Sequence, residues 1–276
     1  AYYEAVKMLV CTLGYDAPAL ENGGYPSGYL LTAKQFHLIR KIESGDAQAL
    51  SASFCAEMIE YAMDAKLMEP SYDRPSVGQK VQDVTVLERY HSIGSYKGIL
   101  ETAGCLSLKA NSDYSDDVVM VDEEEFRGES NKFRDYIGYR VKVYYRTGNN
   151  GEDRELLYAE SVHGSNKCVE IAEEQLLGYE NGYILYENTG GKTAKISANL
   201  SKLRVLFNGA AAIPTEEEIR TADRIVFIDN GTGGNSVMKI ENLKIFVVDS
   251  FDHTERTVID RFRQGEDHKF TIGMND

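Results

Sequence analysis

Tryptophan is absent, proline occurs 5 times and cysteine 4 times in 276 residues. Cys11, Cys55, Cys105 and Cys168 form no C-x-x-C pair, which removes the usual zinc and redox motifs. Cys11 and Cys55 fall on the apolar faces of expected helices and read as packed free thiols, with a disulfide framework as the other reading. No stretch approaches the roughly 18 apolar residues of a membrane span, so membrane insertion is not expected. Ala1 opens directly into a helical pattern, so the chain reads as an excised or processed piece. Positive charge is scarce as well: 30 Lys and Arg against 44 Asp and Glu give a net charge of −14. Without a basic stripe to displace counterions no nucleic-acid partner is expected, and an anionic membrane surface is unsuitable for the same reason.

What is present builds cores. Hydrophobic residues make up 42% of the chain, and its length suits two or three small domains. With 18 Tyr against 10 Phe, and 24 Gly against the few prolines, the mixture favours β-structure with glycine turns over long helical bundles. The first third is nevertheless helical. In "AYYEAVKMLVCTLG" the spacing of Ala5, Met8, Leu9, Thr12 and Leu13 predicts one helix face, stopped by Gly14. A second helix is expected from Ser27 through "GYLLTAKQFHLIRKI", with Tyr29, Ala33 and Phe36 inward and His37 packed beside them. A third has Ser51 as N-cap and a stripe of Phe54, Cys55, Met58, Ile59 and Ala62. Past "MEPSYDRPSVGQK" strand signals dominate, clearest where Val141, Val143 and Tyr145 alternate with Arg140, Lys142 and Tyr144. One short helix is expected at "PTEEEIRTA", where a proline and three glutamates suit a helix start.

No catalytic signature stands out. There is no G-x-S-x-G elbow, no phosphate-binding loop and no dinucleotide fingerprint. His37, His91, His163, His253 and His268 lack metal-binding spacing. "FIDNGTGGNSV" offers Asp229, Asn230 and Asn235 as oxygen donors, but glycines occupy ligand positions of a calcium loop, and a glycine-rich hairpin turn is expected instead. The acidic run "VDEEEF" reads as a solvated turn or edge.

The most specified stretch is "LGYDAPALENGGYPSGYL". Together with "YYEAVKMLVCTLGY" and the third amphipathic helix it resembles the S-layer homology modules of Gram-positive surface proteins, over about residues 1–68. The resemblance implies helix-loop-helix repeats that pack in threes and grip anionic cell-wall polysaccharide. Family repeats that bind usually carry a Thr-Arg-Ala-Glu-type motif. Here Ser51 stands for the threonine and Ala52 for the arginine, so the bidentate guanidinium contact is missing. Candidate ligand contacts are therefore Gly23, Gly24, Tyr25 and Tyr29 in the turn, with Arg40 and Lys41 as the nearest basic pair. The tyrosines serve equally well as staples of the turn to the helical core. The β-rich remainder resembles the repeated β-domains that follow such modules.

The resulting expectation is an α+β chain: an S-layer-homology-like helical segment over 1–68, a linker over 69–85, and antiparallel β-barrel or sandwich modules over 86–178 and 179–276. It is expected to be a non-catalytic structural or attachment fragment of an extracellular, cell-wall-associated protein. The alternative is a glycan- or protein-binding β-module, with a wall-polymer hydrolase third. The partner is anionic secondary cell-wall polysaccharide or peptidoglycan, and no cofactor is expected, calcium being the one candidate.

Overall fold

In the computed structural model the first helix, α1 (Tyr2–Thr12), buries Tyr2, Val6 and Val10, and Leu13 follows them inward. That face lies one residue, about 100°, from the one expected. Of the five expected residues Leu13 is buried and Ala5 and Leu9 lean on the core, while Met8 is 70% exposed and Thr12 is exposed too. The inward stripe includes Tyr2, whose ring packs on Phe54 at 6.0 Å between centroids. The structure describes residues 2–39, 50–70, 79–110, 114–148, 153–231, 237–242, 247–254, 257–262 and 269–271. They fall into two compact units, Ala1–Gly94 and Ser95–Asp276.

The first unit continues with α2 (Asp16–Glu21), α3 (Ser27–Gln35) and α4 (Ala52–Met63). Helix α2 was not expected. Helix α3 stops sooner than its apolar pattern, because His37 takes a positive φ of 53° that no helix continues; its side chain is exposed rather than packed. Ser51 caps α4 as expected, its hydroxyl accepting from the Phe54 N–H at 3.1 Å. Met58 and Ala62 are buried in the stripe, while Ile59 is exposed. Where a linker was expected over 69–85, β1 (Lys66–Pro70) and β2 (Gln79–Thr85) pair antiparallel. Leu67 and Met68 are buried in the helical core, with Val81 and Val84 against it. Met68 N–H donates to the Leu13 carbonyl at 2.9 Å, tying the hairpin to the end of α1. Gly14, at φ 86°, makes this approach possible: a Cβ there would overlap the Met68 carbonyl. Two prolines suggested a loop; Pro70 ends an edge strand, and Pro75, with the rest of 71–78, lies outside the described residues. Helix α5 (Val86–His91) closes the unit, capped reciprocally by Thr85 and Glu88.

The second unit carries β3 (Ile93–Ala103), β4 (Leu106–Ser107), β5 (Val118–Val121), β6 (Glu124–Arg127), a 3-10 helix Ser130–Tyr136, β7 (Arg140–Thr147) and β8 (Arg154–Ser161). There follow β9 (Lys167–Ala172), β10 (Leu176–Glu180), β11 (Tyr183–Glu187), β12 (Thr193–Ser197), β13 (Arg204–Phe207) and β14 (Ala210–Ala211). Helix α6 (Glu216–Arg220), β15 (Arg224–Asp229), β16 (Val237–Glu241), β17 (Val248–Asp252), β18 (Thr257–Asp260) and β19 (Lys269–Thr271) complete it. Strands predominate and most pairings are antiparallel, with parallel exceptions at β6–β8 and β13–β16.

One sheet runs β14-β13-β16-β15-β9 and is covered on both faces. Leu206, Val226, Ile228 and Val237 point into a core shared with β3, β5, β7 and β8. The alternate residues Val205, Ile225, Met238 and Ile240 point into another, with Tyr179, Ile184 and Ile219. Period-two alternation thus sorts apolar residues to two cores. The expected boundary between 178 and 179 does not appear, since β9 pairs with β15 across that position and the first core takes residues from both sides. Polar links fasten the same joint: buried Asn230 donates from Nδ2 to the Gly138 carbonyl at 3.1 Å, and Arg204 pairs with Glu101. Around "FIDNGTGGNSV" β15 and β16 pair antiparallel, while residues 232–236 of the expected glycine-rich turn, Asn235 among them, lie outside the described residues.

Candidate functional site

Four local features build the turn that the sequence singled out. Gly23 and Gly24 take positive φ of 104° and 71°, which only glycine adopts without strain. Gly24 N–H donates to the Ala19 carbonyl at 2.9 Å, and Gly28 N–H returns to the Gly24 carbonyl at 2.6 Å. Across the loop Asn22 Nδ2 donates to the buried Thr32 hydroxyl at 2.9 Å. Gly28 sits so close to the end of α2 that a Cβ would run into the Ala19 carbonyl oxygen. The turn is therefore strapped to α2 and α3 along its whole length.

Its two tyrosines have different fates. Tyr29 is buried and its hydroxyl donates to Asp16 Oδ1 at 2.5 Å, so the staple reading fits this residue. Tyr25 is 48% exposed, its ring centroid 6.5 Å from that of Tyr29. Lys7, from α1, places its ammonium 5.7 Å from the Tyr25 centroid and 5.6 Å from that of Tyr29, within cation–π range of both. The Cys11 thiol, one helical turn further on, donates to Asp16 Oδ1 at 3.4 Å. Cys11 is thus an exposed thiol with a polar partner, not the packed one expected.

The electrostatics follow from these contacts. Hydrogen bonds from Tyr29 and then Cys11 hold the Asp16 carboxyl below its ordinary value. The same bond pushes the Tyr29 phenol up, and desolvation with the Asp16 contact raises the Cys11 thiol. The dominant effects around Asp16 favour one arrangement: an ionised carboxylate accepting hydrogen bonds from a neutral phenol and a neutral thiol.

Of the expected contacts, Gly23, Gly24, Tyr25 and Tyr29 come together, whereas Arg40 and Lys41 lie outside the described residues. Lys7 and Asp16 were missed. A signal did exist for Lys7, which is the single Lys or Arg before Lys34 and sits on the same helix face as Cys11. The described residues include no cluster of three or more His, Cys, Asp or Glu that could hold a metal, and no helix long and apolar enough to cross a membrane. Comparison of the chain with protein families, with curated proteins and with solved structures finds no match.

Proposed function

We propose that the chain is a non-catalytic attachment piece of an extracellular, cell-wall-associated protein, and that the rim of the Gly23–Pro26 turn contacts an anionic wall polysaccharide. The observation that carries this reading is the Lys7 ammonium set above Tyr25 and Tyr29 at a rigid, partly exposed turn. An acidic sugar offers a carboxylate for the ammonium and a C–H face for the Tyr25 ring. Lys7 would supply a point charge where the Ala52 position lacks a guanidinium fork. Such a contact is weak, salt-sensitive and suited to repetition along a polymer. The raised Cys11 thiol, bonded to a carboxylate, is poorly disposed to act as a nucleophile, which favours binding over chemistry at this turn. We also infer that β3, β5, β6, β8 and β7 form a small barrel, because β3 pairs with β7 as well as β5 and the pairing order returns to its start.

Co-sedimentation with purified Gram-positive cell walls, with and without their secondary polysaccharide and with calcium or chelator, tests the attachment. Polysaccharide-dependent pelleting that falls at high salt and drops at least severalfold in Lys7→Ala and Tyr25→Ala is the expected outcome. Pelleting unchanged in both variants would move the contact elsewhere, and no pelleting under any condition would end the attachment reading.

A further inference from the structure

Strands β6 and β8 meet at one parallel bridge, Arg127 opposite Glu155. One residue on, Gly128 still lies against Leu156 of β8, and the chain leaves the strand after it. Gly128 N–H donates to the Asp117 carbonyl at 2.8 Å, and the 3-10 helix leads away from Ser130. A cleft of about 440 Å³ opens there, lined among others by Asp117, Arg127, Lys132, Glu155 and Leu157. That volume lies within the range of small-ligand sites, about 300–1,000 Å³.

The polar lining is held in place by its own pairs. Arg127 binds Asp117 at 3.1 Å and Glu125 at 2.7 Å, and Ser115 donates to Asp117 at 2.6 Å. Lys132 pairs with Glu129 at 2.8 Å. A charged ligand would have to displace these partners. A neutral, hydroxyl-rich ligand need not, since each hydroxyl can accept from the guanidinium or ammonium and donate to the adjoining carboxylate.

The apolar part comes from a register shift. On β8, Tyr144 opposes Tyr158 and Tyr145 opposes Leu156, so Leu157 is an extra residue without a partner on β7. Leu156 and Ala159 point inward, while Leu157 (37% exposed) and Tyr158 (56% exposed) both point outward. Bulges at strand rims re-aim side chains in this way. Leu157 enters the cleft, and beside it Tyr158 meets Tyr144 across the strands at 6.2 Å between ring centroids. The Lys142 ammonium donates to the Tyr144 hydroxyl at 2.6 Å, 4.5 Å from the ring centroid, and fixes that ring. A sugar ring presents both kinds of surface that this arrangement answers, a hydroxyl rim and a C–H face.

We propose that the cleft between β6 and β8, with the Leu157–Tyr158–Tyr144 strip leading from it, is a binding site for a neutral oligosaccharide. The site lies in the second unit and is independent of the attachment proposed for Lys7 and Tyr25. Titration calorimetry on the full chain tests it, with hexamers of β-1,4-linked glucose, N-acetylglucosamine, xylose and mannose as probes and polygalacturonate as the acidic counterpart. The expected result is saturable binding of at least one neutral hexamer, little changed between low and high salt. Tyr158→Ala and Arg127→Gln, each checked for an unchanged circular dichroism spectrum, should weaken it about tenfold or more. Three results would each overturn the proposal: no binding by any neutral hexamer, binding of polygalacturonate alone, or hexamer binding that both variants leave intact. Wall co-sedimentation and soluble-hexamer titration use different probes and different variants, so either can fail without the other.

Discussion

The Tyr29 hydroxyl donates to an Asp16 carboxylate held below its ordinary value, so the pair ties stability to pH from both ends. A lowered carboxyl contributes stability above its unfolded value, about 3.9, and loses it as pH falls through the folded value. A raised phenol contributes below its unfolded value, about 10, and loses it only as pH climbs through the higher folded value. Near neutrality both contributions are complete. Tyr29→Phe should therefore lower the melting temperature at pH 7, and the gap to the unaltered protein should narrow as the carboxyl becomes protonated in acid. Melting curves across that interval check it, and a gap of constant size would contradict the coupling. At this scale the sequence was informative where one residue type has one use. Gly23 and Gly24 were legible as turn glycines, but Gly28 was not, because its φ is ordinary and its need is space beside the Ala19 carbonyl. Nor could adjacency in sequence separate Tyr25 from Tyr29: they sit four residues apart, and only packing decides which one is covered.

Elements with their own punctuation were easiest to read. Thr215 and Glu218 form a reciprocal cap on α6, and Ser51 caps α4, both as local chemistry dictates. Elements defined by a partner were harder. The bulge at Leu157 exists through its register with β7, and the single parallel bridge of β6 with β8 joins residues whose pattern marks neither as parallel. The end of β15 is another such case. Asn230 reads as a turn residue, yet its buried amide donates to the Gly138 carbonyl and joins β15 to the approach to β7. Asn230→Ala would strand that carbonyl and is expected to cost about 1–3 kcal/mol. Urea denaturation should show a lower midpoint with an unchanged slope.

Across the second unit the sheet β14-β13-β16-β15-β9 serves two cores, one on each face. A strand such as "RIVFID" then shows apolar residues on both faces, and the sequence does not say which neighbour each face will meet. That is why two tandem modules were expected where one unit is found. Residues 95–276 expressed alone should show dispersed amide resonances, whereas 95–178 and 179–276 made separately should not, since each would leave one face of shared core in water. Folded, dispersed halves would restore the tandem reading. The pairing of β3 has a mechanical consequence. Asp122 N–H donates to Ile99 on one side, while Leu100 exchanges hydrogen bonds with Gly138 and Tyr139 on the other. Tension applied along β3 would load both rows of bonds together instead of peeling them singly. Under such a load the lifetime of the unit is set by its unfolding rate, not by its equilibrium stability.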